Sequence, residues 1–233
     1  MPLASRDARA AERMDDPGCD PVRLARTYAR FGLVNAVVAA PRATYRRWIV
    51  PRLGSGDVRV LDIGTGGGDF PRAVCRWARR SGARLDVLAV DPDPRAYAFA
   101  ERGTRIPGLR IRRMDAAAVL ASGERFDVVL SNHVLHHLSD ERVRELLSES
   151  ARLLRPGGVA VHRDIARSAG AYAAFAVGTL PFQPLLLRGT FIREDGLTSI
   201  RRSRTPAELA TIVPEGWRVR RGWPARVEAV LGG

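Results

Sequence analysis

From residue 58 onward, short continuous apolar runs alternate with stretches whose apolar residues recur every three or four positions. VRVLDIG (58–64), LDVLAVD (85–91), FDVVLSN (126–132) and VAVHRD (159–164) are such runs. Their length and continuity predict strands buried on both faces, as in a parallel sheet. LRIRRMD (109–115) alternates apolar with charged and predicts one more strand. Helical spacing predicts helices over 69–82, 94–103 and 140–158, the last closed by Pro156 and two glycines. TPAELATIV (205–213) predicts another, with Thr205 as N-cap and Pro206 in its first position. WRVRRGWP and ARVEAVLG read as a final pair of strands, with Pro224 marking a tight connection and hence an antiparallel last strand. The pattern predicts an α/β fold: an open twisted sheet, mostly parallel, with helices on both faces.

Three stretches fall outside this rhythm. Residues 1–20 are polar, carry charges of both signs and contain no apolar run, so they predict a flexible leader. Residues 21–50 place Leu24, Tyr28, Phe31 and Val34 at helical spacing, break at Pro41 and resume, which predicts an N-terminal helical lid. Residues 165–204 are apolar but interrupted by Gly178, Pro181 and Pro184, too broken for a membrane span, and predict a cap inserted into the main domain of residues 51–233.

Composition changes the picture in two ways. The formal charge is +13, and all 38 basic residues are arginines. No lysine is available for a Schiff base or a phosphate loop. The arginines are scattered rather than gathered in one run, which favours a solvated surface over a nucleic-acid or acidic-lipid partner. Cys19 and Cys75 form no CxxC pair, so neither a thiolate zinc site nor a disulfide framework is expected. No apolar signal segment opens the chain, and a cytoplasmic protein is expected.

The chemistry concentrates at strand ends. Asp62-Ile-Gly64-Thr65-Gly66-Gly67-Gly68 follows the first strand and opens a helix, where backbone N–H groups can face a ligand. A dinucleotide loop of the form GxGxxG would want glycine or alanine at 69, where Asp69 stands, and a triphosphate loop wants the missing lysine. Asp62 places a carboxylate where a pyrophosphate would repel it and an ammonium group would not. Asp91 ends the second strand, where it can take two ribose hydroxyls, and Asp115 ends the third at the height of an adenine amino group. One ligand needs all three without a pyrophosphate: S-adenosylmethionine. VLDIGTGGGDF, LAVDPDP, RRMDAA, FDVVLSNHVLHHL and LLRPGGVAV together resemble, in order and spacing, the Rossmann-like class I S-adenosylmethionine-dependent methyltransferases. The resemblance covers residues 55–165 strongly and 205–232 by pattern. In detail the chain is similar to the small-molecule methyltransferases of ubiquinone and menaquinone biosynthesis. FIREDGLTSIRRSRTPAEL resembles actinobacterial members found alongside polyketide and phenolic-lipid enzymes.

The resemblance implies that Gly64, Gly66 and Gly68, with Thr65, line the methionine portion of the cofactor. It implies that Asp91, with Pro92, binds the ribose, that Asp115 with Ala116 frames the adenine, and that Ser131 and Asn132 lie beside the sulfonium. His133, His136 and His137 follow the fourth strand, and a histidine suits removal of a phenol or enol proton near neutral pH. His136 or His133 is the expected base; packing or capping histidines are the structural alternative. No metal site is expected, because a lone i, i+4 histidine pair lacks a third ligand. His162 reads as a satisfied strand-end histidine. The strand ends in SNHV, which lacks the signature of adenine or glutamine amino methyltransferases and the magnesium-holding aspartate of catechol methyltransferases, and no Pro-Cys pair supports pyrimidine C5 chemistry. O- or C-methylation of a hydrophobic small molecule, a phenol, quinol or polyketide, is left in front. Tyr28, Phe31, Tyr172, Phe175, Phe182 and Phe191 give its expected pocket an aromatic character. An RNA-directed enzyme or a nucleic-acid-binding protein is the alternative, a cofactor-binding protein without catalysis is another, and a homodimer is left open.

Overall fold

The computed structural model describes residues 3–38, 40–54 and 56–233. Met1 and Pro2 of the expected leader, Ala39 of the expected lid, and Ser55 lie outside the described residues.

Strands β1 (Val58–Ile63), β2 (Leu85–Val90), β3 (Leu109–Arg112), β4 (Phe126–Asn132), β5 (Leu154–Ile165), β6 (Arg218–Gly222) and β7 (Arg226–Leu231) form one seven-stranded sheet in the order β3-β2-β1-β4-β5-β7-β6. The first five run parallel, β7 is antiparallel to β5, and β6 to β7. The expected fold class is the one observed. The helices are α1 (Pro21–Val38), α2 (Pro41–Thr44), α3 (Asp69–Arg80), α4 (Pro94–Arg102), α5 (Ala116–Ala121), α6 (Asp140–Arg152), α7 (Ala169–Gly178), α8 (Ile192–Arg202) and α9 (Pro206–Ala210).

The apolar runs are buried twice over because alternate side chains serve different layers. Leu61 and Leu88 pack with Val119 of α5, Val143 and Leu147 of α6 and Leu209 of α9. Val60 and Val87 pack on the other face with Val74 and Ala78 of α3 and with Tyr45, Trp48 and Ile49. Chain order reverses at β1, between β2 and β4, which opens a crevice beyond the carboxyl ends of these strands.

Several boundaries differ from the sequence pattern. The strand expected over 109–115 ends at Arg112, because Asp115 turns the chain and caps α5 by accepting the Ala118 N–H at 2.8 Å. The helix expected over 140–158 ends at Arg152, and Leu154 already pairs with Phe126, so Pro156 and Gly157 lie in an irregular start of β5. The helix expected over 205–213 is α9, which ends at Ala210 and opens with the expected Thr205 cap, here a reciprocal box with Glu208. Residues 3–20, expected to hang loosely, instead pack on the molecule. Arg6 Nε donates to the Arg202 carbonyl at 2.7 Å, and Glu12 is 4% exposed. Hydrogen bonds and ion pairs to distant residues hold them, together with Met14 and Cys19 packing on Leu24, Tyr28, Ala96 and Phe191, which is why a polar composition misleads here. Among the described residues no helix is long and apolar enough to cross a membrane.

Candidate functional site

The crevice holds a cavity of about 500 Å³, walled by the β1 loop, the ends of β2 and β4, α1, α8 and residues of the N-terminal segment. The glycine loop forms its floor. Gly64 has φ +71°, and a Cβ there would stand 2.5 Å from Val134 Cγ2, so only glycine fits. The Gly66 N–H donates to Asp91 Oδ2 at 2.8 Å, and the Asp93 N–H donates to Asp91 Oδ1 at 3.0 Å. These bonds aim the second strand end at the loop.

Asp62, Asp69, Asp91 and Asp93 all line the cavity. Asp62 is 2% exposed, and its Oδ2 has no hydrogen-bond partner among the described residues. Burial pushes its carboxyl up to about 7, with Asp69 and Asp91 adding to the rise and the Thr65 hydroxyl opposing it. Burial also raises Asp69, which accepts from Asn35 Nδ2 of α1 at 3.3 Å, and raises Asp91. Asp93 is already paired with Arg95, whose Nη2 lies 2.8 Å from its Oδ2, but the crowded Asp62, Asp69 and Asp91, with one oxygen unsatisfied, call for a cation. S-adenosylmethionine carries an ammonium and a sulfonium, and these residues fit it.

Expected residues divide by position. Asp62, Gly64, Thr65, Gly66, Asp91, Pro92, Asn132, His133, His136, Tyr28, Phe31 and Phe175 line the cavity. Gly68, Asp115, Ala116, Ser131 and Tyr172 do not. Asp115 is spent on capping α5, and Ala116 is buried in the core. The Ser131 hydroxyl faces His162 Nδ1 at 2.8 Å inside the sheet. Tyr28 stacks near Phe99, ring centroids 5.3 Å apart, and its Cβ lies 3.4 Å from where a Gly67 Cβ would be, which puts it beside the glycine loop. Phe182 is 52% exposed, and Phe191 is buried against Leu24, Tyr28 and Ala96.

The histidines have separate surroundings. His136 is 2% exposed; its Nδ1 lies 2.8 Å from Asp164 Oδ1, its Nε2 3.2 Å from Glu12 Oε1, and its backbone N–H donates to Asp164 Oδ2 at 2.7 Å. Burial alone would lower its pKa, yet the carboxylates of Asp164 and Glu12 outweigh it and hold the ring as imidazolium. Such a ring has no free lone pair, which removes His136 as the expected base. His133 stands at φ +58° after β4, with its N–H donating to the Arg163 carbonyl at 2.9 Å. Its side chain is 23% exposed, its Nδ1 is 3.9 Å from Asp164 Oδ1, and no hydrogen bond engages its ring among the described residues. Burial pushes it down to about 4 against the pull of Asp164, with His136, Arg226 and Arg163 helping. It is neutral at neutral pH and lines the cavity. His162, between the hydroxyls of Ser131 and Ser150, is a satisfied interior histidine, pushed down to about 3 by burial.

Glu12, Met14 and Asp15 also line the cavity, from a segment whose sequence carries no such signal. Glu12, His136 and His137 each offer one ligand atom, all within 4.8 Å of one another, a set able to hold a divalent cation. This set holds the adjacent His136 and His137 rather than the i, i+4 pair His133 and His137. Asp164 was legible by the same rule as Asp62 and Asp91, an acidic residue at a strand end.

Comparison with known proteins agrees with this geometry. Residues 60–158 match the family model described as a methyltransferase domain. The chain is 30% identical over 209 residues to the ubiquinone biosynthesis O-methyltransferase of Azorhizobium caulinodans, covering 89% of this chain and 76% of that one. It is 32% identical over 201 residues to the protein of the same name from Parvibaculum lavamentivorans, covering 81% and 71%. Among solved structures, human N-acetylserotonin methyltransferase in complex with SAM shares the fold at a TM-score of 0.60 and 14% identity, over 92% of this chain and 57% of that one. The plantazolicin methyltransferase BpumL, in complex with a pentazolic desmethylPZN analog and SAH, does so at 0.54 and 14%, over 87% and 84%. The chain belongs to the class I S-adenosylmethionine-dependent methyltransferases of small-molecule type, in the family that contains the ubiquinone biosynthesis O-methyltransferases.

Proposed function

We propose that this enzyme methylates a hydroxyl oxygen of a hydrophobic phenol or quinol, with His133 as the base. The observation that carries the reading is the mixed lining of one cavity. Asp62, Asp69 and Asp91 suit a cationic cofactor, while neutral His133 and the apolar Phe31, Ile165, Phe175 and Ile192 line the same cavity. The cofactor, when bound, supplies a methyl group on a positively charged sulfur. Asp62 takes its ammonium and Asp91 its ribose hydroxyls. His133 accepts a hydrogen bond from the acceptor's hydroxyl on its free nitrogen and takes the proton as the oxygen bonds the methyl carbon and the carbon–sulfur bond breaks, when that proton becomes strongly acidic. The apolar wall excludes water from that step and orients a flat acceptor. The names of the two bacterial relatives support oxygen rather than carbon as the methylated atom.

The test is transfer of labelled methyl to a panel of alkylated phenols, catechols and quinols, with product masses read out. One added methyl on oxygen is expected. Tight binding of S-adenosylhomocysteine with no transfer to any panel member would remove the acceptor assignment. Replacing His133 with Gln is expected to lower kcat by about 10² to 10⁴ while leaving cofactor affinity unchanged. Unchanged kcat would reject the base.

A further inference from the structure

The N-terminal segment crosses the mouth of the cavity and is fastened at both sides. On the cap side, Asp195 of α8 accepts the backbone N–H groups of Arg13 at 2.7 Å and Met14 at 3.0 Å, and the Asp7 N–H donates to the Arg201 carbonyl at 3.0 Å. On the cofactor side, Arg95 of α4 donates to the Asp16 carbonyl at 2.8 Å. Glu12 sits between these moorings. A buried carboxylate on a segment with few apolar contacts is costly unless fully partnered. Its partners converge: His136 Nε2 at 3.2 Å, the Ser199 hydroxyl at 2.8 Å, and His137 Nε2 at 3.9 Å from its other oxygen. His136 is thereby clasped between Glu12 and Asp164, and Asp164 also lies 3.9 Å from His133. The turn from His133 to His137 is thus held from the sheet by Asp164 and the Arg163 carbonyl, and from the strap by Glu12, by Asp15 Oδ2 at 3.1 Å from His137 Nδ1 and by Arg6, which donates to the His136 carbonyl at 3.4 Å.

We propose that Glu12 is a positioning residue for methyl transfer: by closing the strap onto His136, it fixes the turn that carries His133 and so completes the acceptor site. This rests on the reading of His133 as the base. Asp164 holds the backbone and Nδ1 of His136, and Glu12 takes the second nitrogen, so the ring is held from both sides. Glu12 pairs with His136, His137 and Ser199 and not with Asp62 or Asp91, so cofactor binding and transfer should separate.

The test compares the full-length wild type with Glu12→Gln and Glu12→Asp. Gln keeps the size and loses the charge, and Asp keeps the charge on a shorter arm. Expected for Gln is a kcat lower by about ten-fold or more, as for a displaced catalytic group. S-adenosylhomocysteine affinity by calorimetry and KM for the cofactor should stay within about two-fold, as expected when only the transfer step is touched, and Asp should restore part of kcat. Tryptic cleavage after Arg6 or Arg9 should be faster in Gln than in wild type, a readout that needs no acceptor. Equal kcat with equal cleavage would overturn the proposal. Parallel loss of cofactor affinity would overturn it too, because Glu12 would then act on the fold as a whole. So would manganese or zinc that binds wild type, raises its kcat and fails to bind Gln, since Glu12 would be a ligand. If wild type transfers to no acceptor while cleavage still separates the variants, the acceptor assignment fails and the strap contact stands.

Discussion

Replacing Asp62 with Asn sets two opposed effects of one side chain against each other. The carboxyl is 2% exposed, and burial carries it up to about 7. In an unfolded chain it titrates near about 3.9, so the folded state holds its proton about three pKa units more tightly, roughly 4 kcal/mol as an order of magnitude. A raised folded pKa gives stability that is complete below about pH 4 and lost as pH rises through about 7. At about pH 8 the cofactor-free wild type therefore carries an ionised buried carboxylate that an Asn variant lacks. The variant should melt higher there, and its advantage should shrink toward about pH 5. Cofactor binding should show the reverse. An ammonium group needs the ionised carboxylate, so wild-type affinity for S-adenosylhomocysteine should strengthen from about pH 6 to about pH 8. The Asn variant should bind about a hundred-fold more weakly, ~2.7 kcal/mol, with that rise much reduced. Calorimetric titrations at three pH values and thermal melts of both proteins measure all of this. An Asn variant that melts lower at the alkaline end, or wild-type affinity flat across the range, refutes the assignment of Asp62 as the ammonium acceptor.

Two further substitutions probe the walls of the site. Gly64→Ala introduces a Cβ 2.5 Å from Val134 Cγ2 at a positive φ, whereas Gly82→Ala, also at positive φ, meets nothing within 4 Å. Both should lose about 1–2 kcal/mol in denaturant melts from backbone conformation, but only Gly64→Ala should lose cofactor affinity as well; equal affinity in the two would show that the loop is not the cofactor's floor. Asp164→Asn removes the partner of a buried imidazolium and should cost about 3–5 kcal/mol in denaturant unfolding. An unchanged midpoint would mean that His136 is neutral.

What the sequence made legible follows from which forces are local. The central strands are continuous apolar runs, so β1, β2, β4 and β5 could be read without knowing their neighbours. A carboxylate at the end of such a run is conspicuous for the same reason, and Asp62 and Asp91 stand out as strand-end residues on the cavity. Asp115 has the same sequence form and a different fate. β3 stops three residues earlier, and the carboxylate is used as a helix cap. Propensity cannot separate those outcomes, because an Asp after a strand serves either. The strap was illegible for a deeper reason. Its order comes from contacts between residues far apart in the chain, Glu12 with His136 and Ser199, and Asp15 with His137, and no local pattern encodes a distant partner.

The arginine excess also has a different meaning once the charges are placed. Arg59 and Arg110 share Asp86 and Glu124 across the edge of the sheet. Arg163 pairs with Glu228, Arg167 with Glu208 and Arg204 with Asp140. These five arginines thus close networks within the fold rather than forming a docking surface. The cavity is the reverse of the surface: seven carboxylates line it, those of Glu12, Asp15, Asp62, Asp69, Asp91, Asp93 and Asp195, against Arg202 and the imidazolium of His136. A low-dielectric cleft with an excess of one sign of charge focuses its field, drawing in a cation and repelling an anion. A chain of phosphates could be held on the outer surface but would meet rising repulsion at the cavity, where an RNA substrate would have to present its base. A neutral, flat, apolar acceptor meets no such barrier. The same field that selects a sulfonium cofactor therefore argues against the nucleic-acid reading that the net charge of +13 invites.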